Sequence, residues 1–199
     1  MVVFTVRDYT ANDFFDVIRI YQSAFAEPPW NEFKKCTLCG INYGIQEVNN
    51  RAENCKKCSC PLALVEFWSQ SDIQNDLAFA LSQPFYRVLV AESGGLSGFV
   101  WGYKLPLFKF PFLEDKVNEN AHYMDEIAVH ANARRQGIGK LLGVHYLESV
   151  KKTNIPEVIL RTDYRNTSSV QLFSSLGFEK IGVVDPEFDY RIYFRRRLS

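Results

Sequence analysis

The feature that most constrains this fold is a strand leading through a short polar turn into a helix that opens on two glycines. Residues 123–129 are rich in strand-forming side chains, and the helix after them begins at Gly137 and carries Gly139 in its first turn. The first N–H groups of a helix lack partners within it and carry a partial positive charge, so they attract anions. Glycines let an anion reach that backbone without meeting a Cβ. The segment therefore predicts a site for a phosphorylated ligand.

Positive charge surrounds the same turn, in the side chains of Arg134, Arg135 and Lys140. Glycine-rich turns also arise simply as tight connections, so the pattern alone leaves a purely structural role open. Two common phosphate motifs are absent: a Walker A loop needs four residues between its first glycine and its Gly-Lys pair, and the dinucleotide fingerprint needs a third glycine.

Strands and helices alternate in the second half of the chain, which predicts a partly parallel sheet covered by helices. A helix capped by Asn166 should end at Gly177, a residue suited to the left-handed conformation. The periodicity predicts further helices from Thr10 to Phe25, 71–81 and 137–151. It predicts strands over 2–6, 86–92, 96–103, 123–129, 158–162, 181–184 and 190–194.

Three motifs in this order resemble the GNAT acetyltransferases. Arg134-x-x-Gly137-x-Gly139, placed after Ile127-Ala128-Val129, resembles the family's acetyl-CoA signature. Asn166 with the run Leu-Phe-Ser-Ser-Leu-Gly-Phe at 172–178 looks like its second signature, and residues 25–32 are similar to the end of its first helix. The resemblance implies one α/β (α+β) domain over residues 1–199, with the GNAT acyl-CoA N-acyltransferase fold. That fold has a mixed central sheet of about seven strands flanked by helices.

The same resemblance implies acetyl-CoA as co-substrate, with its pantetheine arm between the strand containing Ile127 and the strand containing Leu160. Backbone groups of residues 127–129 would pair with the pantetheine amides, and the pyrophosphate would lie on residues 135–140. The predicted cofactor-binding residues are Ile127, Ala128, Val129, Arg134, Arg135, Gln136, Gly137, Ile138, Gly139, Lys140, Asn166 and Phe173.

A GNAT-type reaction is the direct attack of a neutral amine on the thioester, so the site must accept a proton from the amine. It must also stabilise the oxyanion and the departing thiolate. Strand alternation places His122, Met124, Glu126 and Ala128 on one face. We predict Glu126 as the general base and His122 as the second candidate. Pairing of Glu126 with a neighbouring Arg or Lys is the structural alternative.

The family often has a Tyr five residues before the Phe of the closing Gly-Phe pair, where its hydroxyl can protonate the leaving thiolate. That position is Phe173 here, and Phe has no proton to give. The proton must then come from another group or from water, or be unnecessary because a thiolate is already a fair leaving group. Phe173 can still pack against the cofactor.

Five cysteines are crowded between positions 36 and 60. Cys36-x-x-Cys39 and Cys55-x-x-Cys58 are two knuckles separated by 15 residues, a zinc-ribbon spacing. Neither a secretory leader nor a membrane-spanning run is predicted, so we expect a cytoplasmic protein, and that reducing compartment disfavours disulfides. Four thiolates predict a structural zinc within an insertion spanning 33–62. A rubredoxin-type iron centre and the replacement of Cys58 by Cys60 both stay open.

The leading interpretation is an N-acetyltransferase acting on a primary amine of a small molecule or peptide. The alternative is a non-catalytic acetyl-CoA-binding module, or a zinc-ribbon module that interacts with nucleic acid or protein. Lys plus Arg equals Asp plus Glu at 23 each, so no overall field attracts nucleic acid or membrane, and neither is expected as a partner. The acceptor and the oligomeric state, a homodimer included, are left open by the sequence.

Overall fold

The computed structural model describes residues 3–48, 52–65 and 69–198. Its helices are α1 (Phe14–Phe25), α2 (Ile45–Val48), α3 (Gln70–Ser82), α4 (Ile138–Lys151) and α5 (Thr167–Ser175). Its strands are β1 (Thr5–Asp8), β2 (Lys34–Cys36), β3 (Asn42–Tyr43), β4 (Leu62–Leu64), β5 (Arg87–Glu92), β6 (Leu96–Lys104), β7 (His122–Val129), β8 (Glu157–Asp163), β9 (Glu179–Ile181) and β10 (Arg191–Arg197). Among these described helices, none is both long and apolar enough to cross a membrane.

A seven-stranded sheet in the order β1-β5-β6-β7-β8-β10-β9 forms the centre of the molecule. Every neighbouring pair in it is antiparallel except β7 and β8, which run parallel. The predicted mixed sheet of about seven strands flanked by helices is confirmed.

Helices cover both faces of this sheet because its central strands are apolar on both sides. Helices α1 and α3 pack on one face, where Tyr21, Phe99 and Trp101 stack with ring centroids 4.7 to 6.0 Å apart. Helices α4 and α5 pack on the other face, around Leu142 and Tyr146. The sheet therefore has one apolar packing layer on each face.

The ends of the helices follow local sequence signals. Thr10 and Asp13 form a capping box ahead of α1, and Ser69 and Asp72 form another at the start of α3. Asn166 caps α5 by accepting a hydrogen bond from the Ser169 N–H at 3.1 Å. Gly177, at φ +78°, follows the end of α5 in the left-handed conformation, as predicted.

Strands β7 and β8 separate soon after they begin. Their pairing consists of His122 with Val158 and Tyr123 with Ile159, and it ends there. On its other side, β7 continues to pair with β6 as far as Val129. The edge of β7 facing β8 is therefore open from residue 124 onward, at the carboxyl ends of two parallel strands, where α/β sheets bind ligands.

The cysteine-rich interval folds into a second sheet of three strands, in the order β3-β2-β4. It adjoins the end of α1, since the Ile45 N–H donates to the Ala26 carbonyl at 3.0 Å. Of the insertion predicted over 33–62, residues 49–51 lie outside the described part of the chain.

Candidate active site

The turn between β7 and α4 presents a run of unpaired backbone donors. Within the described chain, none of the backbone N–H groups of residues 135 to 140 donates a hydrogen bond. Arg135 and Gly137 both have positive φ, at +64° and +82°, while the residue between them does not. Such alternation turns successive N–H groups toward one concave side, which is the geometry of an anion-binding nest.

The two glycines of this turn have different surroundings. A Cβ added to Gly137 would have no atom within 4 Å, so that position opens to solvent. A Cβ on Gly139 would lie 3.2 Å from Leu172 Cδ2, so this glycine also lets α4 approach α5. Gly137 is therefore the glycine that faces the predicted anion, and it is also the N-cap of α4.

The charged side chains around the turn are also of two kinds, one bonded to the protein and the others exposed to solvent. Arg134 is tied to the protein, because its Nε donates to the Val129 carbonyl at 3.3 Å and its Nη2 to the Ala24 carbonyl at 3.4 Å. Arg135, Gln136 and Lys140 are exposed, while Ile138 is buried beneath the turn. Arg134 thus stabilises the turn against α1, and Arg135 and Lys140 remain available to a ligand.

Ile127, Ala128 and Val129 lie on the open edge of β7, in line with the turn. Asn166 lies across the sheet opening at the start of α5, where its side chain is occupied by the helix cap. Phe173 is 4% exposed and packs in the core, with ring centroids 6.1 Å from both Phe178 and Phe194. The structure therefore brings the backbone candidates together and places Phe173 in the packing layer beneath them.

A β-bulge in β7 turns two neighbouring carboxylates toward the same face. Trp101 of β6 pairs with Glu126, but the next residue, Gly102, pairs with Met124, so Asp125 is an extra residue in β7. Asp125 accepts a hydrogen bond from the Tyr103 hydroxyl at 3.0 Å, and Glu126 accepts one from the Tyr21 hydroxyl at 3.4 Å. Both carboxylates consequently lie on the α1 face, at the point where β7 leaves β8.

The charge of Asp125 influences the protonation of Glu126. Burial raises the pKa of Glu126 well above its ordinary value, and the neighbouring charge of Asp125 raises it further. Burial likewise raises the pKa of Asp125, while the Tyr103 hydrogen bond and the charge of Arg161 oppose that rise. A third carboxyl, Asp76 on α3, has its pKa raised by burial and by Asp125. Glu126 is thus a half-buried group that binds a proton more tightly than an ordinary glutamate does.

Sequence reasoning missed three hydrogen-bond donors around these carboxyls. Arg161 on β8 is half-buried with its guanidinium 5.5 Å above the ring of Phe110. Tyr123 and Trp101 are almost wholly buried, and neither the Tyr123 hydroxyl nor the Trp101 Nε1 makes a standard hydrogen bond within the described chain. The available signal was Arg161 itself, the one charged residue in the otherwise apolar run from Val158 to Thr162.

His122 does not lie beside Glu126, so the prediction that the two share a face is wrong. The bulge at Asp125 reverses the alternation, and His122 lies with Met124 on the α4 face. His122 is fully buried, with Nε2 2.9 Å from the Phe85 carbonyl and Nδ1 2.7 Å from the Tyr146 hydroxyl. A carbonyl can only accept, so Nε2 carries the proton and Nδ1 accepts from Tyr146. Burial lowers the pKa of His122 to about 4, and both ring nitrogens are occupied by packing contacts.

Replacing His122 with Ala should therefore destabilise the fold without altering the pH dependence of activity. The change opens a cavity and removes the hydrogen bonds of His122 with the Tyr146 hydroxyl and the Phe85 carbonyl, which costs about 3 kcal/mol. Urea unfolding measures the loss, and His145→Ala, at an exposed position on α4, should stay within about 0.5 kcal/mol of the parent. Unchanged stability together with a shifted pH profile would instead identify His122 as a catalytic group.

The four cysteines of the two knuckles converge within the small sheet. The Sγ atoms of Cys36, Cys39, Cys55 and Cys58 all lie within 4.8 Å of one another. Three of the separations are 3.4 Å (Cys36 to Cys58), 3.7 Å (Cys39 to Cys55) and 3.8 Å (Cys39 to Cys58). Four thiolates placed tetrahedrally about 2.3 Å from a zinc ion would be about 3.8 Å apart, whereas a disulfide needs about 2.05 Å. The donor set fits a tetrahedral metal, and Cys60 lies outside it.

The two knuckles have matching backbone geometry. In the first, the Gly40 N–H donates to the Cys36 carbonyl at 3.1 Å; in the second, the Ser59 N–H donates to the Cys55 carbonyl at 2.9 Å. Gly40 and Ser59 both have positive φ. The Cys39 N–H lowers the pKa of Cys36, and the Tyr43 hydroxyl, 3.1 Å from Cys55 Sγ, lowers the pKa of Cys55 to about 6. Hydrogen bonds to sulfur favour thiolates, the form that binds metal.

Solved structures of acetyltransferases share this fold at low sequence identity. The chain is similar to the ribosomal-protein-S18-alanine N-acetyltransferase of Escherichia coli, with 17% identity, a TM-score of 0.59 and coverage of 99% of this chain and 95% of that one. It is similar to yncA of Salmonella typhimurium, solved with its cofactor acetyl-CoA, with 16% identity, a TM-score of 0.60 and coverage of 98% and 94%. It is also similar to the ribosomal-protein-alanine N-acetyltransferase of Brucella melitensis, with 20% identity, a TM-score of 0.61 and coverage of 98% and 99%. At these identities the likeness shows the fold alone.

The sequence itself identifies the family. No curated protein matches it. The family model described as the acetyltransferase (GNAT) family matches residues 49–178, about two thirds of the chain. That range includes the open edge of β7, the glycine turn and α5. The chain therefore belongs to the acetyltransferase (GNAT) family.

Proposed function

We propose that this chain is an N-acetyltransferase that passes the acetyl group of acetyl-CoA to a primary amine of a small molecule or peptide. The observation that carries the proposal is the open edge of β7 leading directly into the unpaired N–H groups of residues 135 to 140. An extended chain with amides can pair with that edge, and a pyrophosphate can accept hydrogen bonds from the turn. Pantetheine and pyrophosphate occur in that order in acetyl-CoA, which supports this cofactor.

Glu126 is the general base of the proposed reaction. It is half-buried beside the gap between β7 and β8, and it faces α1 rather than the packing layer under α4. The bound ammonium gives a proton to Glu126, directly or through water, and its nitrogen lone pair then attacks the thioester carbon. The raised pKa of Glu126 suits this exchange because a stronger base accepts the proton of the amine more readily.

The nitrogen then releases its second proton to water, the carbon–sulfur bond breaks and the thiolate of coenzyme A departs. Phe173 supplies no proton, since it is an apolar side chain packed among other aromatic residues. A thiol has an ordinary pKa of about 8.5, so the thiolate leaves without assistance and takes a proton from water afterwards. No group of the chain is needed as an acid in this scheme.

An acceptor screen tests the proposal. The purified protein is mixed with acetyl-CoA and a panel of primary amines, free thiol is measured, and acetyl-CoA affinity is measured separately by calorimetry. We expect thiol release that requires both the protein and an amine. Tight acetyl-CoA binding with no turnover on any amine would favour the non-catalytic module, and a parallel titration with nucleic acid would show whether the zinc-ribbon alternative holds.

The cysteine cluster is the second part of the proposal, as a structural zinc site. Cys36, Cys39, Cys55 and Cys58 would fill all four positions of a tetrahedral ion, leaving none for a water that could act as a nucleophile. The metal would instead hold together a sheet whose strands have only two or three residues, too few to fold alone. Iron bound by four cysteines is the competing occupant.

Metal analysis should find one zinc per chain, and the double substitution Cys39→Ser, Cys58→Ser should remove it. Cys60→Ser is the matched control, because Cys60 is a neighbouring thiol outside the cluster and its loss should leave the zinc in place. The double variant should still bind acetyl-CoA, since the glycine turn lies on the main sheet. Protein isolated without chelator that contains neither zinc nor iron, or a double variant unable to bind acetyl-CoA, would contradict this division of roles.

A further inference from the structure

Arg161 lies on the acceptor side of the site without an ion-pair partner. None of the ion pairs formed by the described residues involves its guanidinium. The group is nevertheless half-buried, held over the ring of Phe110 and beside the Tyr193 hydroxyl. That hydroxyl donates its own proton to Asp185 at 2.6 Å. A half-buried arginine with no carboxylate in direct contact is uncommon, because the charge loses water and its hydrogen bond with a neutral hydroxyl does not replace an ion pair.

The surroundings of Arg161 contain further unused donors. The Tyr123 hydroxyl lies near both Arg161 and Asp125 and makes no hydrogen bond within the described chain. The Trp101 Nε1 faces Asp125, again without a hydrogen bond of standard geometry. Buried donors are nearly always satisfied in folded proteins, so the unpaired Tyr123 hydroxyl beside Arg161 points to a ligand with acceptor atoms.

The other half of the site is lined by acidic rather than basic side chains. Asp125, Glu126 and Asp76 place three carboxyls on the same face of the sheet, where the charge of Asp125 raises the pKa of both Asp76 and Glu126. Arg161 is close enough to oppose that effect at both Asp125 and Glu126. A cation-binding end and an anion-binding end therefore lie side by side, at the opening between β7 and β8.

We propose that the acceptor is an amine that also carries a carboxylate, as in a free α-amino acid, with Arg161 binding the carboxylate while the amine lies at Glu126. This inference rests on the proposed acetyltransferase function and specifies its substrate class. The planar guanidinium matches a carboxylate with two parallel hydrogen bonds, and its central carbon lies 5.5 Å from the centre of the Phe110 ring. The Tyr123 hydroxyl is placed to assist Arg161.

An analogue without the carboxylate would leave the arginine unpaired in the occupied site. Sites built to hydrogen-bond a substrate group reject analogues that lack it much more strongly than they reject a change in apolar size. We therefore expect an amino acid to exceed its own amide and its own decarboxylated amine by about a hundredfold or more in kcat/KM.

The test compares free L-amino acids, their amides and their decarboxylated amines as acceptors for the parent protein and Arg161→Gln. The variant should lose most of its kcat/KM with the amino acids but little with the amides, so that the two classes become similar. Arg161→Lys, which keeps the charge and loses the planar fork, should fall between them. Arg197→Gln, at an exposed position near the end of β10, is the control. Unchanged acetyl-CoA affinity shows that each variant is folded.

The possible results distinguish failure of the carboxylate inference from failure of the acetyltransferase proposal. Amides or decarboxylated amines acetylated as well as the acids would overturn the carboxylate inference and leave the acetyltransferase proposal standing. A uniform loss with all acceptors in Arg161→Gln would also overturn it, because the arginine would then act only on the neighbouring carboxyls. If no amine of any class is acetylated, the proposed function fails and the inference fails with it.

Discussion

Replacing Gly137 with Asp should abolish acetyl-CoA binding while the protein remains folded. The substitution places a carboxylate at the mouth of the glycine turn, where the proposed pyrophosphate receives hydrogen bonds from residues 135 to 140. Two like charges about 4 Å apart repel by about 4 kcal/mol at an effective dielectric constant of about 20. That repulsion corresponds to a loss of roughly a thousandfold in affinity. The fold should tolerate the change because an added Cβ has no atom within 4 Å.

The matched control is Gly137→Asn, which has the same shape without the charge. Asn and Asp both accept the left-handed conformation that this position requires, at φ +82°. Backbone strain is thus equal in the two variants, and the difference between them isolates the charge. Calorimetric titration with acetyl-CoA should show measurable binding by the Asn variant and none by the Asp variant. Equal affinity in the two would mean that no phosphate lies at this turn.

Replacing Glu126 with Gln should lower turnover at neutral pH by about a hundredfold or more while acetyl-CoA affinity stays the same. The amide keeps the shape of the side chain but cannot accept the proton of the amine. In the parent protein, activity should fall as pH drops through the raised pKa of Glu126, because the carboxyl becomes protonated. The deficit of the variant should shrink as pH rises, since the free amine becomes abundant without a base. Full turnover by the variant at every pH would assign Glu126 a structural role.

The same substitution should raise stability at neutral pH. A carboxyl whose pKa is higher in the folded state favours folding fully only below its unfolded pKa, about 4.3 for Glu, and loses that contribution as pH rises through the folded value. Above that value the folded protein bears the cost of a buried charge beside Asp125. Gln removes this cost, so urea unfolding should show a gain at neutral pH that disappears in acid. Glu179→Gln, at an exposed strand position, should show neither effect.

The strand, turn and helix around Gly137 could be predicted because each depends on local sequence. Glycine at a positive φ, a first helical turn and an apolar strand are all specified by neighbouring residues. The bulge at Asp125 could not be predicted in this way, because it exists only relative to the register of β6. A single inserted residue moved His122 away from Glu126 and brought Asp125 to it, which is why one predicted base proved to be a core residue.

In the cysteine module, too, the sequence predicted the ligands but not the strands that hold them. The spacing of the two knuckles identified Cys36, Cys39, Cys55 and Cys58, and the structure brings their sulfur atoms together. Its strands were not predicted, since two or three residues are too few to show a period of two. The role of Arg161 was not predicted because it depends on residues in β7 and in the loop containing Phe110. Both lie far from Arg161 in the sequence.

We propose acetyl transfer to an amine bound where β7 separates from β8. Mass spectrometry of the products formed by the parent, Gly137→Asp and Glu126→Gln tests this proposal, with free thiol measured in the same reactions. The parent should produce acetylated amine and free coenzyme A in equal amounts, Gly137→Asp should produce neither, and Glu126→Gln should produce both slowly. Coenzyme A released by the parent without any acetylated amine, or equal product from all three proteins, would contradict the claim.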